Sequence, residues 1–470
     1  MMGKLYIRAD GSMDIGMGHL IRCIALAQIV SNDFTVHFVC KEIPPQTKAE
    51  LIANEFELTL IDEEDNFFAL LNKKDIAVLD GYHYDFAYQQ KIKATGASVA
   101  CIDDIHDKPF AADLIINHAP GISENYYVAQ PYTKFLLGTE YALLRTSFLN
   151  QAKKKMQSFK NESVLICFGG ADGKNLTATA LEAVLAFDKF KKINVITGPA
   201  YHFLESLQHF MQSNRAIVHY HAVSEQQMLE LMIASDVVIV PASGILYEAL
   251  CTGSIIISGT YVNNQQFIYK ALKKAGAFIS AGNFSKEEII DALNKLDTTT
   301  LNNTSIIDGL SPKRILSALY DVKLTVRNAT GNDSRLLFNW ANDVDVRNNA
   351  INKKAIEWNG HVKWLAAKLE SEQTKIFILE YNNEPVGQVR YDYNGTDCLI
   401  DYSIDMKYRG KGFGKLAIEK TIHHFTGTEI TAMVLENNTA SSATFEKLNF
   451  KLAGNKEIDG QNFLIYKILL

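Results

Sequence analysis

At 470 residues, with 47% hydrophobic and 21% charged side chains, the chain exceeds what one hydrophobic core organises and has the composition of a globular protein of two or three domains. A formal net charge of −6 excludes an overall basic footprint for nucleic acid, and no apolar run is long enough to cross a bilayer, so small-molecule chemistry is expected, with no nucleic acid and no membrane as partner. The six cysteines are scattered without CxxC or Cys/His spacing, which argues against a zinc site or a disulfide framework and reads as reduced core thiols. The start, MMGKLYIRAD, lacks the pattern of an export signal, and the expected compartment is the cytoplasm.

From about residue 4 to 120, the runs KLYIRAD, FTVHFVC, ELTLID, DIAVLDG, SVACIDD and DLIINHA alternate with helical patterns, which predicts βα units and a mainly parallel sheet. Most of these runs end in Asp, Gly, Asn or His. Open α/β sheets build their sites at such carboxyl ends, although Asp and Gly also simply terminate strands. In RADGSMDIGMGHLIRCIALAQ the pattern is strand, loop, helix. Gly16 and Gly18 permit close approach of a phosphate to free N–H groups at a helix amino terminus, while a tight turn packing strand on helix accounts for the same glycines. The spacing is neither a Walker loop nor the dinucleotide fingerprint. His19, at the helix start, reads as a general base, a diphosphate ligand or a cap.

A charged stretch near 140–160 leads into a second α/β series, SVLICFGGADGKN, KINVITG, AIVHYHA, DVVIVPASG and SIIISG, whose strands again run into Gly-rich loops. Two successive open α/β domains imply a ligand cleft between them. After the polar stretch LDTTTLNNTSIIDGL, SPKRILSALYDV has a Ser in N-cap position followed by Pro, and a domain boundary is expected near 322. Beyond it, KLTVRNAT, KIFILEY, EPVGQVRYDY and CLIDYSID predict an α+β unit with a substantially antiparallel sheet.

The first motif resembles the amino-terminal signature of the UDP-2,4-diacetamido-2,4,6-trideoxy-β-L-altropyranose hydrolases of pseudaminic acid biosynthesis. Further matches follow in order: LDGYHYD at 79–85, CIDD at 101–104, LLGTEYALLR at 136–145, FGGADGKN at 168–175, SGILYEAL at 243–250 and NNQ at 263–265. Those enzymes are similar to GT-B glycosyltransferases, in which two Rossmann-like domains hold a nucleotide sugar. The resemblance implies inverting attack of water at the anomeric carbon, UDP as leaving group, no metal, and His19 as the catalytic residue. It places Glu248 where the wider group binds ribose hydroxyls, the alternative being an ordinary helix-start Glu. Gly169, Gly170, Ser243 and Gly244 become backbone donors to the diphosphate, and Asn264 and Tyr82 sugar-facing positions, against plain turn and packing roles. GTEYALLRTSF departs from the family, which more often has Pro after Gly and after Arg. Of His83, His106 and His118, all near strand ends, at most one is expected to touch substrate.

In IDYSIDMKYRGKGFGKLAIEK, the residues Arg409, Gly410, Lys411, Gly412 and Gly414 form a turn whose N–H groups and positive charge suit a pyrophosphate, a basic surface turn being the plainer reading. This turn resembles the acetyl-CoA site of GNAT acetyltransferases, and EITAMVLENN with NNTASSATFEKLNF resembles the following strand, Asn438 and helix. The resemblance implies acetyl-CoA as cosubstrate. LLFNWANDVDVRNNAIN and WNGHVKWL resemble the acceptor side of GNAT enzymes acting on nucleotide-linked amino sugars, although Trp340, Trp358 and Trp364 also fit core positions. Many relatives place an acidic Tyr seven residues after the Asn. Here that position is Phe445, leaving Tyr402, Tyr391 or water, and Asn449 replaces a usual Gly.

The expected fold is thus α/β, a GT-B-like pair of Rossmann-like domains (1–155 and 156–322) followed by an α+β GNAT domain (323–470). The expected activities are acetylation of a UDP-linked amino sugar and hydrolytic release of UDP. A glycosyltransferase with a non-water acceptor, or a non-catalytic nucleotide-sugar module joined to an acetyltransferase of another amine, are the alternatives.

Overall fold

A computed structural model describes residues 3–12, 18–154, 162–299, 301, 306–393 and 397–470. Tertiary contacts divide the chain into two units, Met1–Leu316 and Ser317–Leu470.

Among the described residues the first unit holds two large parallel sheets and a small one that pairs Pro109–Phe110 with Val128–Ala129. Strands β1 (Lys4–Ala9), β2 (Thr35–Cys40), β3 (Glu57–Leu60), β4 (Ile76–Asp80), β5 (Ser98–Ile102), β6 (Leu114–Asn117) and β7 (Lys134–Leu137) form a sheet of order β3-β2-β1-β4-β5-β6-β7. Its central strands read as near-continuous apolar runs because helices cover both faces; β4 and β5 are buried along their whole length. Strands β8 (Ser163–Cys167), β9 (Lys192–Thr197), β10 (Ile217–His221), β11 (Val237–Pro241), β12 (Ile255–Gly259) and β13 (Ile279–Ser280) form the second sheet, of order β10-β9-β8-β11-β12-β13. Val164, Ile166, Val195, Ile239 and Ile257 supply its core with Leu181 from a covering helix. In each large sheet the strand order reverses once, between β1 and β4 and between β8 and β11, and such switch points open a crevice beyond the strand ends.

Ser311 departs from expectation. It is the first residue of the helix Ser311–Asp321, and its hydroxyl donates to the Ala142 carbonyl at 2.8 Å instead of capping the helix.

The second unit is one mixed sheet, β14 (Leu324–Asn328), β15 (Thr374–Tyr381), β16 (Glu384–Tyr393), β17 (Asp397–Ile404), β18 (Glu429–Leu435), β19 (Lys451–Ile458) and β20 (Gln461–Leu469), ordered β14-β15-β16-β17-β18-β20-β19. All neighbours are antiparallel except β17 and β18. Those two pair only from Asp397–Glu429 to Ile400–Ala432. Beyond that, Asp401–Ile404 stay with β16 and Met433–Leu435 stay with β20, so β17 and β18 part in a V. Asn449 adopts φ 65°, the left-handed turn that its short polar side chain tolerates.

Candidate active sites

Helix α1 (Gly18–Val30) follows β1 at the first switch point. Residues 19, 22 and 23 share one helical face, and all three reach the carboxylate at the end of β4. His19 Nδ1 lies 2.6 Å from Asp80 Oδ1. Arg22 donates from Nη2 to Asp80 Oδ1 and from Nε to Oδ2, each at 2.6 Å, and the Cys23 thiol lies 3.5 Å from Oδ2. Arg22 also donates from Nη1 to Asp104 Oδ2 at 2.8 Å, just after β5. The Tyr82 ring stands edge-on to the His19 ring, centroids 4.8 Å apart, and its hydroxyl is 3.5 Å from Asp104. Burial opposes charge on Asp80, but the Arg22 guanidinium and His19 outweigh it and hold the carboxyl below its ordinary value.

A carboxylate 2.6 Å from Nδ1 can only accept, so Nδ1–H donates to Asp80, and in the neutral ring the lone pair is on Nε2. With Nδ1 protonated, the 3.1 Å approach of Arg22 Nη2 to the same nitrogen is two donors meeting at a shared acceptor. The His19 ring is therefore oriented by a partner that is fully buried. Below this cluster, Arg8 of the RAD motif is buried and paired with Asp10 and Glu64, both at 2.8 Å.

Two contacts link this sheet to helix α2 (Gly244–Leu250), which follows β11 at the second switch point. The His118 ring, beyond the end of β6, lies 4.9 Å from the Tyr247 ring, and Arg145 donates to Glu248 Oε1 from Nε at 2.9 Å and Nη2 at 2.7 Å. Glu248 is buried, which raises its carboxyl value against the pull of Arg145. His83 instead packs on Tyr84 and His106 on Tyr126, so His118 is the member of that trio beside the cluster.

Burial, with Arg22 nearby, pushes the His118 imidazole down to about 4. An unfolded histidine titrates near 6.5, so between these values the unfolded chain carries the extra proton and stability falls as pH falls, by up to about 3 kcal/mol. Urea titrations from pH 7 to 4 are expected to show this slope, and His118→Gln is expected to flatten it.

Gly169 has φ 85°, and Gly169, Gly170 and Gly244 have no heavy atom within 4 Å of where a Cβ would stand. Gly18 is equally open. The FGGADGKN loop also has a structural role, since the Asp172 carboxylate accepts from Leu176 and Thr177 N–H, both at 2.8 Å. Ser243 precedes α2 without a side-chain cap bond, and Asn264 sits exposed in the short helix Asn263–Gln265. The structure thus gathers Gly18, His19 and Tyr82 at one switch point, and Gly169, Gly170, Ser243, Gly244 and Glu248 at the ends of the two strands flanking the other. Gly16 lies outside the described residues. Asp80, Arg22, Asp104 and Arg145 complete the arrangement; the spacing of His19 to Arg22 on one helical face and the Asp ending DIAVLD were the available signals.

In the second unit a cavity of about 1090 Å³ is lined by the turn Arg409–Gly410 and Gly412–Gly414, by β17 and the end of β18, and by helix α5 (Thr439–Lys447); helix α3 (Trp358–Glu370) contributes Trp364. Gly410 and Gly412 have φ of 77° and 89°, with open space beside both, and Gly412 leads into helix α4 (Phe413–Ile422). Arg409 uses its fork on the unit itself, pairing with Asp343 at 2.7 Å and Asp345 at 2.8 Å. Lys411 is half-buried in the turn, and Asn438 caps α5 by accepting from Ser441 N–H at 3.2 Å. Trp340 is a core residue whose indole N–H donates to Asp405, whereas Trp364 borders the cavity with the Arg390 guanidinium 5.4 Å from its ring. Trp358 lies under Arg335, at 3.9 Å.

Most of the lining of this cavity falls within a recognisable stretch of sequence. Residues 344–450 match the acetyltransferase (GNAT) family model. The GNAT-matching unit therefore contains the glycine turn, the V and α5 that line the cavity. Over 493 aligned residues the chain is 26% identical to the uncharacterized protein MJ1062 of Methanocaldococcus jannaschii, covering 95% of this chain and 96% of that protein. It is 28% identical to the UDP-2,4-diacetamido-2,4,6-trideoxy-β-L-altropyranose hydrolase of Campylobacter jejuni over 58% of this chain and 97% of the hydrolase. It is 25% identical to the spore coat polysaccharide biosynthesis protein SpsG of Bacillus subtilis over 59% and 83% of the two chains. Among the described residues, no helix is long and apolar enough to cross a membrane.

Proposed function

We propose that the chain is a bifunctional nucleotide-sugar enzyme of pseudaminic acid biosynthesis. Its 323–470 domain N-acetylates UDP-4-amino-4,6-dideoxy-N-acetyl-β-L-altrosamine with acetyl-CoA, and its 1–155 and 156–322 domains form a GT-B-like pair that hydrolyses the resulting UDP-2,4-diacetamido-2,4,6-trideoxy-β-L-altropyranose. The observation that carries the hydrolase reading is the oriented His19–Asp80 pair at a switch point, in a chain alignable to nearly the full length of a hydrolase of that name.

In this mechanism His19 Nε2 takes a proton from water as the water oxygen bonds to the anomeric carbon and the bond to the UDP oxygen breaks, inverting that centre. Asp80 holds the imidazole and stabilises the imidazolium that forms. Gly18, Gly169, Gly170, Ser243 and Gly244 offer backbone donors where charge develops on UDP. Glu248, oriented by Arg145, accepts from the ribose, and Tyr82 and Asn264 face the sugar. In the acetyltransferase domain, Gly410, Gly412 and Gly414 shape the pyrophosphate turn, Lys411 adds charge, Arg409 braces the turn, and Asn438 fixes the start of α5.

The test is to incubate the purified chain with the UDP-linked 4-amino sugar, with and without acetyl-CoA, and to follow UDP and both sugars by NMR. Acetyl-CoA-dependent appearance of free 2,4-diacetamido sugar and UDP is expected. Acetylation without UDP release, also from the preformed diacetamido substrate, overturns the hydrolase half in favour of a glycosyltransferase with another acceptor.

A further inference from the structure

Acetyl transfer leaves a thiolate that must be protonated, and the helix position where a hydroxyl is expected carries Phe445, 3% exposed. Two tyrosines stand on neighbouring strands of the sheet, and their surroundings separate them. Tyr391, on β16, is 1% exposed, shares a hydrogen bond with the Thr421 hydroxyl at 2.9 Å and packs its ring 4.2 Å from Phe425. Tyr402, on β17, lines the cavity just past the last residue paired with β18.

Tyr402 is held on three sides. Its hydroxyl lies 3.1 Å from Ser441 Oγ at the start of α5, and its ring stands edge-on to Phe445 at 5.8 Å. A Cβ at position 414 would meet its Cε2 at 2.8 Å, so glycine at the start of α4 is what admits the ring. Asn438 accepts from Ser441 N–H and fixes the serine in turn. Strand alternation sends the preceding Asp401 to the opposite face, beside Gln388 and Arg390. The hydroxyl of Tyr402 is thus presented between the glycine turn and the V, on the α4–α5 side.

We infer that Tyr402, positioned by Ser441, is the catalytic acid of acetyl transfer, supplying the proton that Phe445 cannot. This rests on the acetyl-transfer reading above. The amine lone pair forms the C–N bond to the thioester carbon, the C–S bond breaks with its electrons on sulfur, and Tyr402 Oη passes its proton to that sulfur. The phenolate is reprotonated through the Ser441 hydroxyl from solvent, and the proton lost by the amine goes to solvent.

The experiment uses the full chain with acetyl-CoA and the UDP-linked 4-amino sugar, measuring thiol release across pH and acetyl-CoA affinity by calorimetry. Tyr402→Phe is expected to lower kcat by about 10²-fold, to keep acetyl-CoA affinity and to lose the alkaline limb of the pH profile. Adding Phe445→Tyr returns a hydroxyl from α5 and is expected to restore most of kcat and the alkaline limb. Tyr402→Phe with kcat close to wild type overturns the acid role alone, and joint loss of binding and turnover overturns it in favour of packing. A wild-type chain that binds acetyl-CoA but acetylates nothing overturns the transfer reading, and the acid role with it.

Discussion

Replacing His19 by alanine is expected to slow UDP release from the diacetamido substrate by about 10³-fold while leaving UDP affinity nearly unchanged. The imidazole is the base of the proposed mechanism, and the backbone donors proposed for UDP do not pass through it. Asp80→Asn should lower the rate by about 10²-fold or more, because an amide can donate to Nδ1 and so favour the tautomer that puts the proton on Nε2. Steady-state UDP release with calorimetric UDP binding checks both variants. Turnover unchanged in His19→Ala would remove the mechanism, and loss of UDP binding would assign the ring to the diphosphate instead.

Arg22→Ala is expected to cost about 3–5 kcal/mol of stability, read as a lowered urea midpoint. Asp80 is 1% exposed, and both its oxygens accept from Arg22; without the guanidinium a buried carboxylate keeps, among the described residues, His19 and a thiol. The double variant Arg22→Met with Asp80→Asn removes both charges, so it should recover much of the stability while UDP release stays low. The sign with pH follows from the direction of the shift. Asp80 titrates below its ordinary value in the folded chain, so the pair contributes above about pH 4 and its contribution is lost as pH falls through the lowered value. Arg22→Ala should therefore lose stability at neutral pH and converge on wild type in acid. An Arg22→Ala midpoint equal to wild type at pH 7 would show that solvent, not Arg22, stabilises the carboxylate.

Much of the architecture was legible in local patterns. Apolar runs such as IAVLD and SVACI are what strands covered on both faces require, and the alternation of such runs with helical spacing implied the two large parallel sheets. The glycines at 169, 410 and 412 take φ of 85°, 77° and 89°, a conformational demand written into residue type. The last hairpin was not legible: Lys451–Ile458 is an exposed edge strand with no buried face, so nothing in its composition marks it as sheet.

What the sequence determined by itself was whatever depends on neighbours along the chain: strands, turns, the face shared by His19 and Arg22, and the absence of a hydroxyl at Phe445. Tertiary structure alone decided the partners. Asp80 meets His19 across 61 residues, and Glu248 meets Arg145 across 103, because switch points bring distant strand ends together. Tyr402 differs from Tyr391 for the same reason: the parting of two strands and the glycine at 414 open one ring to the cavity, while packing closes over the other, and neither condition is carried by residue type.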